Sequence, residues 1–223
     1  LERLFELAVL SDSHGRLPAS DRPVAAVLHA GDWAEGRHRG TAAGLAAAER
    51  AAAWVSGRGV PVYGVRGNHD VDGLPPGVDD VTGRVVRLAD RLWLAGVGWS
   101  GRVYADLPGE SDLEPACRSV ERMALRLVMP GDALVLLTHY PADLPGLFPD
   151  VGRRDGVVFD CVHRLIDTLR PMAVVQGHVH EWFGLAARCN WPVGRATLIL
   201  NPGPGAATLT VDAVGRSATC DVL

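Results

Sequence analysis

Three features of this 223-residue chain predict an α/β fold class. Short apolar runs rich in Val, Leu and Ala recur at residues 7–10, 24–28, 60–65, 133–137 and 173–176, each the length of a buried strand. Apolar residues at helical spacing fill residues 41–56, 112–129 and 159–169. Between residues 85 and 95 the pattern changes to strand, turn, strand, with Ala89-Asp90-Arg91 as the turn. That is an antiparallel hairpin rather than strand–helix alternation.

Composition narrows the function classes. Apolar residues at 48% can fill a sizeable core, and charged residues at 22% suit a globular domain. The length predicts a single domain over residues 1–223. A net charge of −4 supplies no basic field, so neither nucleic acid nor an anionic membrane is expected as a partner. All 22 basic residues are Arg, which leaves any clamp on a phosphate to Arg. Cys117, Cys161, Cys189 and Cys220 form no C-x-x-C pair, so a zinc knuckle and a thioredoxin-type motif are excluded. Free thiols in a reducing cytosol are expected. The run at 7–10 is too short for a signal-peptide core, and no segment approaches a membrane span. A cytoplasmic location is therefore expected. The chain begins with Leu, so residues before Leu1 and the oligomeric state are both left open.

The chemistry lies where strands end. After residues 7–10 comes Ser11-Asp12-Ser13-His14-Gly15. In an extended backbone Asp12 and His14 point to one side and make half of a metal site; the same residues are also good turn chemistry. After 24–28 comes His29-Ala30-Gly31-Asp32, and in layered α/β folds ligands gather outside strand C-termini. Residues 41–56 are an Ala-rich helix, capped by Thr41 and stopped at Gly57, expected to cover a sheet face without chemistry.

After 60–65 comes Arg66-Gly67-Asn68-His69-Asp70, in which the Gly permits a sharp turn. An amide, an imidazole and a carboxylate arrive there together, and burying them without a function would be costly. Trp99 is expected to cap the core. The strand at 133–137 ends in Thr138-His139, and a Pro- and Gly-rich loop follows at 141–156. Its Arg153 and Arg154 read as a solvated pair, and His163 as structural. After 173–176, Gly177-His178-Val179-His180 brings two imidazoles two residues apart, a strong metal signal. The tail from Trp182 reads as short strands and turns, with runs at 196–200 and 207–211.

Taken in order, D-x-H at Asp12 and His14, G-D at Asp32, G-N-H-D at 67–70, the single His139 and G-H-x-H at His178 and His180 resemble the calcineurin-like metallophosphoesterase superfamily. The resemblance implies a four-layer αββα sandwich of two mixed sheets with helices outside, which suits the hairpin and the β-rich tail. It implies one metal on Asp12, His14, Asp32 and His180. A second would sit on Asp32, Asn68, His139 and His178, with Asp32 bridging. It implies that a bridging hydroxide attacks the phosphorus of a phosphodiester or phosphomonoester and that His69 is the general acid. Glu35, three residues after the bridging Asp, takes the place of the residue that orients His69. The Asp-Arg-Gly run of the protein-phosphatase branch is absent, since Glu35 leads into Gly36-Arg37. His29 and His38 match no motif and are expected to be structural or at the surface.

Two divalent cations bring four positive charges, and Asp12, Asp32 and the hydroxide remove three, which leaves about +1 by formal count. Such a pocket suits a small phosphate ester, the expected partner. Mixed N and O donors suit Mn, Fe or Zn. Two alternatives are a nuclease of the same superfamily and a metal-poor binding scaffold with this fold. The net negative charge argues against the first, and the full ligand set against the second.

Overall fold

The computed structural model describes residues 4–18, 22–34, 41–102, 106–142, 144, 146–149, 158–191 and 196–222. Twelve strands and three α-helices lie among these residues. The first sheet holds β1 (Leu4–Leu10), β2 (Ala26–His29), β3 (Val62–Gly64), β4 (Asp79–Asp80), β11 (Ala207–Asp212) and β12 (Ser217–Val222). Its order is β12-β11-β1-β2-β3-β4, with β1 to β4 mutually parallel and β11 and β12 antiparallel at one edge.

The second sheet holds β5 (Val85–Ala89), β6 (Leu92–Val97), β7 (Ala133–Thr138), β8 (Ala173–Val175), β9 (Leu185–Cys189) and β10 (Thr197–Asn201). Its order is β5-β6-β7-β8-β10-β9. The hairpin expected at 85–95 is β5–β6, antiparallel, and β6, β7, β8 and β10 run parallel.

Side-chain alternation builds the layers. Val135 and Leu137 of β7 face inward and join Leu7, Val9, Leu28 and Leu209 in one core between the sheets. Leu134 and Leu136 of the same strand face outward. There they meet Leu113, Cys117 and Val120 of α2 (Glu110–Leu127) and Leu165 and Ile166 of α3 (Asp160–Leu169). On the other side, Leu10, Val27 and Val62 pack against Val55 of α1 (Ala42–Ser56). The layers are helix, sheet, sheet, helices, as the resemblance implied.

Local chemistry sets the helix ends. The Thr41 side chain accepts the Gly44 N–H at 3.2 Å and caps α1. The Glu110 carboxylate accepts the N–H groups of Asp160 and Cys161 and so caps α3 from a neighbouring helix. α2 starts two residues before the expected 112–129 and ends two before it; its N-cap is Gly109, whose N–H the Asp112 carboxylate accepts at 2.8 Å. No helix among the described residues is long and apolar enough to cross a membrane.

In both sheets the central strands are parallel, and adjacent pairs of β1, β2 and β3, like β7 and β8, share a direction. Five C-terminal strand ends therefore reach the rim where the candidate residues lie.

Candidate metal centre

The rim after β1 carries Asp12 and His14, that after β2 Asp32, and that after β3 Asn68 and His69. β7 delivers His139 and β8 delivers His178, with His180 opening a single 3₁₀ turn at His180–Trp182. The expected extended arrangement of Asp12 and His14 does not occur. Asp12 has φ 50° and His14 φ 45°, so the turn reading describes the backbone. The donors still converge: Asp12, His14 and His180 each place a ligand atom within 4.8 Å of the others. So do Asp12, Asp32 and His139, and likewise His14, Asp32 and His69.

Asn68 joins the second side of the cluster. Its Oδ1 lies 3.2 Å from His139 Nε2 and 3.1 Å from His178 Nδ1. His139 Nε2 is also 3.5 Å from Asp32 Oδ2. The other His139 nitrogen, Nδ1, lies 2.8 Å from the Ala30 carbonyl, which only an N–H can satisfy. That contact fixes the tautomer with the Nε2 lone pair facing the cluster, as a metal-ligating histidine requires. On the first side, His180 Nε2 lies 3.6 Å from Asp12 Oδ1.

Burial and charge shift the acids and bases. Burial alone would raise the Asp12 carboxyl, but the adjacent His180 and the His139 ring hold it down at about 2. His180 is raised in turn, chiefly by its contact with Asp12. Burial pulls the fully enclosed His139 down, which favours the neutral imidazole that a cation needs. Two buried carboxylates, four imidazoles and an amide oxygen form an N/O donor set that fits divalent cations.

The backbone is left-handed at several of these positions. Asp32 has φ 58° and His178 φ 69°, so with Asp12 and His14 four candidate residues adopt a conformation that is rare outside glycine. Gly67 opens the expected turn, its carbonyl accepting the Asp70 N–H at 3.2 Å, and does so without a positive φ. Its role is close approach: a Cβ there would overlap the Asp32 carboxylate and come 2.7 Å from the Asp32 nitrogen. At Gly177 a Cβ would lie 2.6 Å from Asp12 Oδ2.

Asp70 is the group that motif reading left without a role. It is buried, its Oδ2 accepts the N–H of Asp32 at 2.8 Å and of Gly67 at 2.9 Å, and its Oδ1 accepts that of Trp33 at 2.9 Å. Burial, reinforced by the Asp32 carboxylate, pushes it up to about 7. Its sequence signal was adjacency to Asn68-His69. Asp32 Oδ1 in turn accepts the His69 N–H at 2.8 Å, so the loops after β2 and β3 are tied together.

His69 sits edge-on to His14, with ring centroids 4.7 Å apart, and its Nε2 is 3.8 Å from Asp32 Oδ2. Glu35, His38, Arg153 and Arg154 lie outside the described residues. His29 is fully buried, stacked on Trp33 at 3.7 Å and bonded to Ser13 Oγ at 2.9 Å, a core role. Trp99 packs beside the α2–α3 core and accepts the Tyr140 hydroxyl through its carbonyl.

A cleft of about 490 Å³ opens directly on Asp12, His14 and His180. A cavity of about 550 Å³ lies at the opposite end of β7, lined by Leu134, Leu169 and Met172, and holds none of the candidate donors. The chemistry therefore belongs with the former. Ala43, Ala47 and Arg50 of α1 line that cleft, so the helix expected to carry no chemistry walls the site.

Two layered mixed sheets with N and O donors gathered on their shared rim define a metal-dependent phosphatase type of fold. The model of the calcineurin-like phosphoesterase superfamily domain matches residues 5–221, and the chain belongs to that superfamily, whose members are generally hydrolytic phosphoesterases. No curated protein matches at a significant level. Among solved structures, the protein TT1561 of Thermus thermophilus is 15% identical with a TM-score of 0.62. A dimetal phosphatase from Danio rerio is 12% identical with a TM-score of 0.61. Each alignment covers 98% of this chain and 99% of the other. These similarities are in fold.

Proposed function

We propose that this chain hydrolyses a small phosphate ester, diester or monoester, with two divalent cations held by its seven donor residues. The observation that carries this reading is the convergence of donors from both sheets on the buried Asp32 carboxylate. His139 reaches it with Nε2 facing in, and Asp12 and His14 reach it from the other side. Asp12, His14 and His180 would hold one cation, Asn68, His139 and His178 the other, and Asp32 both. The bound pair would polarise phosphoryl oxygens and lower the pKa of a water between them. Mn, Fe and Zn all suit the donors.

The chain's own groups supply the rest. His69, whose ring packs edge-on to His14 and which is not among the seven proposed ligands, would give a proton to the leaving oxygen. Glu35 is its proposed orienting partner. Asp70 keeps Asp32 in position through the backbone. The open cleft fits a substrate of modest size, and a cytoplasmic location accords with the free thiols of Cys117, Cys161, Cys189 and Cys220.

The test is hydrolysis of bis-p-nitrophenyl phosphate with Mn²⁺ supplied. Turnover that chelation abolishes and Mn²⁺ restores supports the proposal; the absence of turnover on it and on p-nitrophenyl phosphate contradicts it.

A further inference from the structure

The cleft beside Asp12, His14 and His180 is lined by residues beyond the candidate donors, and two arginines are among them. It is floored by Gly15, whose Cβ position is 3.5 Å from Ala47 Cβ of α1. Ala43, Ala47 and Arg50 are spaced at four and three residues, so they share one face of α1, and that face lines the cleft. The two alanines leave the space open; Arg50 and, from the loop after β1, Arg16 border it. Phe183 closes another side, its ring tilted against His180 with centroids 4.6 Å apart.

The charges are the informative part. Acidic residues outnumber basic ones, 26 to 22, and eight arginines among the described residues pair with a carboxylate. Arg22 sits on Glu6, Arg66 on Asp80, Arg84 on Asp79 and Arg118 on Glu114. Arg16 and Arg50 have no carboxylate partner among the described residues, yet both border one cleft that begins at the candidate metal ligands. A monoester or simple diester would be served by the cations alone. Two further guanidiniums along the same cleft match a second anionic group, because Arg binds phosphate through paired, charge-assisted N–H donors.

We propose that the substrate is a phosphate ester carrying a second phosphate, which Arg16 and Arg50 bind, while the unit linking the two phosphates lies along Phe183. This rests on the phosphoesterase reading above and names its substrate class. A volume of about 490 Å³ accommodates a linker the size of a nucleoside.

The test compares p-nitrophenyl thymidine 5′-phosphate with the same ester bearing a 3′-phosphate. The two share leaving group and scissile bond and differ by one anion. With Mn²⁺, the 3′-phosphate raises kcat/KM roughly tenfold or more through KM, the usual worth of a charged hydrogen-bonded contact. Raised salt shrinks the ratio. In Arg16→Ala/Arg50→Ala the ratio falls toward one, and in Arg50→Lys it is intermediate. A ratio near one in the unaltered chain, or an unchanged ratio in the double variant, overturns the proposal. If neither ester is hydrolysed, the phosphoesterase reading has failed, and a binding measurement still decides this one. Calorimetric titration of thymidine 3′,5′-bisphosphate onto chelated protein should show affinity for the unaltered chain roughly tenfold above that for the double variant, and equal affinities overturn the proposal.

Discussion

Asp70 holds Asp32 in place through the backbone: one carboxylate oxygen accepts the Asp32 N–H at 2.8 Å and the other accepts the Trp33 N–H at 2.9 Å. Since Asp32 has a left-handed backbone at φ 58°, this contact maintains a conformation the chain would otherwise leave. Asp70→Asn keeps the shape but offers one oxygen where two are used. Metal affinity should fall roughly 10–100-fold, as when other groups that orient a ligand are removed. Unfolding free energy of the chelated protein should fall by about 1–3 kcal/mol. Metal titration and urea unfolding measure these two effects, and unchanged metal affinity would show that Asp70 does not position the site.

His69 separates proton donation from metal binding. His69→Asn removes no proposed ligand, so metal occupancy should persist. Turnover on esters with poor leaving groups should fall by roughly 10²–10⁴, the usual range for acid catalysis. Aryl esters leave as stable anions and should lose far less. Equal losses on both substrate types, with occupancy intact, would place His69 in phosphate binding instead.

Gly67 is required for space. The Cβ of Gly67→Ala would collide with the Asp32 carboxylate, which is buried and cannot move aside freely. Both stability and metal affinity should drop in that variant. At Gly59, where a Cβ meets nothing within 4 Å, Ala should leave metal affinity unchanged despite its cost at φ 67°. Calorimetric titration of both variants with Mn²⁺ checks the contrast.

His29 gives a pH signature at a buried group that is not itself a donor. Burial holds it at about 3 in the fold, against 6.5 for an ordinary histidine. Above that ordinary value both folded and unfolded chains hold it neutral, and its contribution is complete. As pH falls below it, the unfolded chain takes up a proton that the folded chain refuses, so stability is lost down to about 3. From about pH 7 to about pH 5 this one group costs about 2 kcal/mol. In chelated protein, His29→Phe should lose about that much less than the unaltered chain over the same range, by urea unfolding at each pH. Parallel losses would contradict the assignment.

Much of this site is legible in the sequence because its chemistry demands particular side chains at strand ends. Asp12, His14, Asp32, Asn68, His139, His178 and His180 are each a ligand type following an apolar run, and the structure brings them to one rim. What supports them is less legible. Asp and His tolerate the left-handed region better than most residues, but that tolerance is too weak to mark Asp12, His14, Asp32 and His178 as left-handed from sequence. Gly67 and Gly177 look like turn residues, yet they serve as clearance for carboxylates distant in sequence. The Ala-rich α1 reads as plain cover because small residues carry no chemistry of their own; only its packing against Gly15 shows that it walls the cleft. Strands β9 and β12 lie in a turn-rich tail, and the half-exposed alternation of β9 is too weak to bound from sequence.

The central claim is that Asp32 joins two cations. Elemental analysis of reconstituted protein, with calorimetric titration of Mn²⁺, tests it most directly. The account predicts about two divalent ions per chain, loss of binding in Asp32→Asn, and loss of aryl and alkyl ester hydrolysis together in that variant. Protein that holds no divalent ion after reconstitution, or an Asp32→Asn variant that binds as many ions as the unaltered chain, would contradict it.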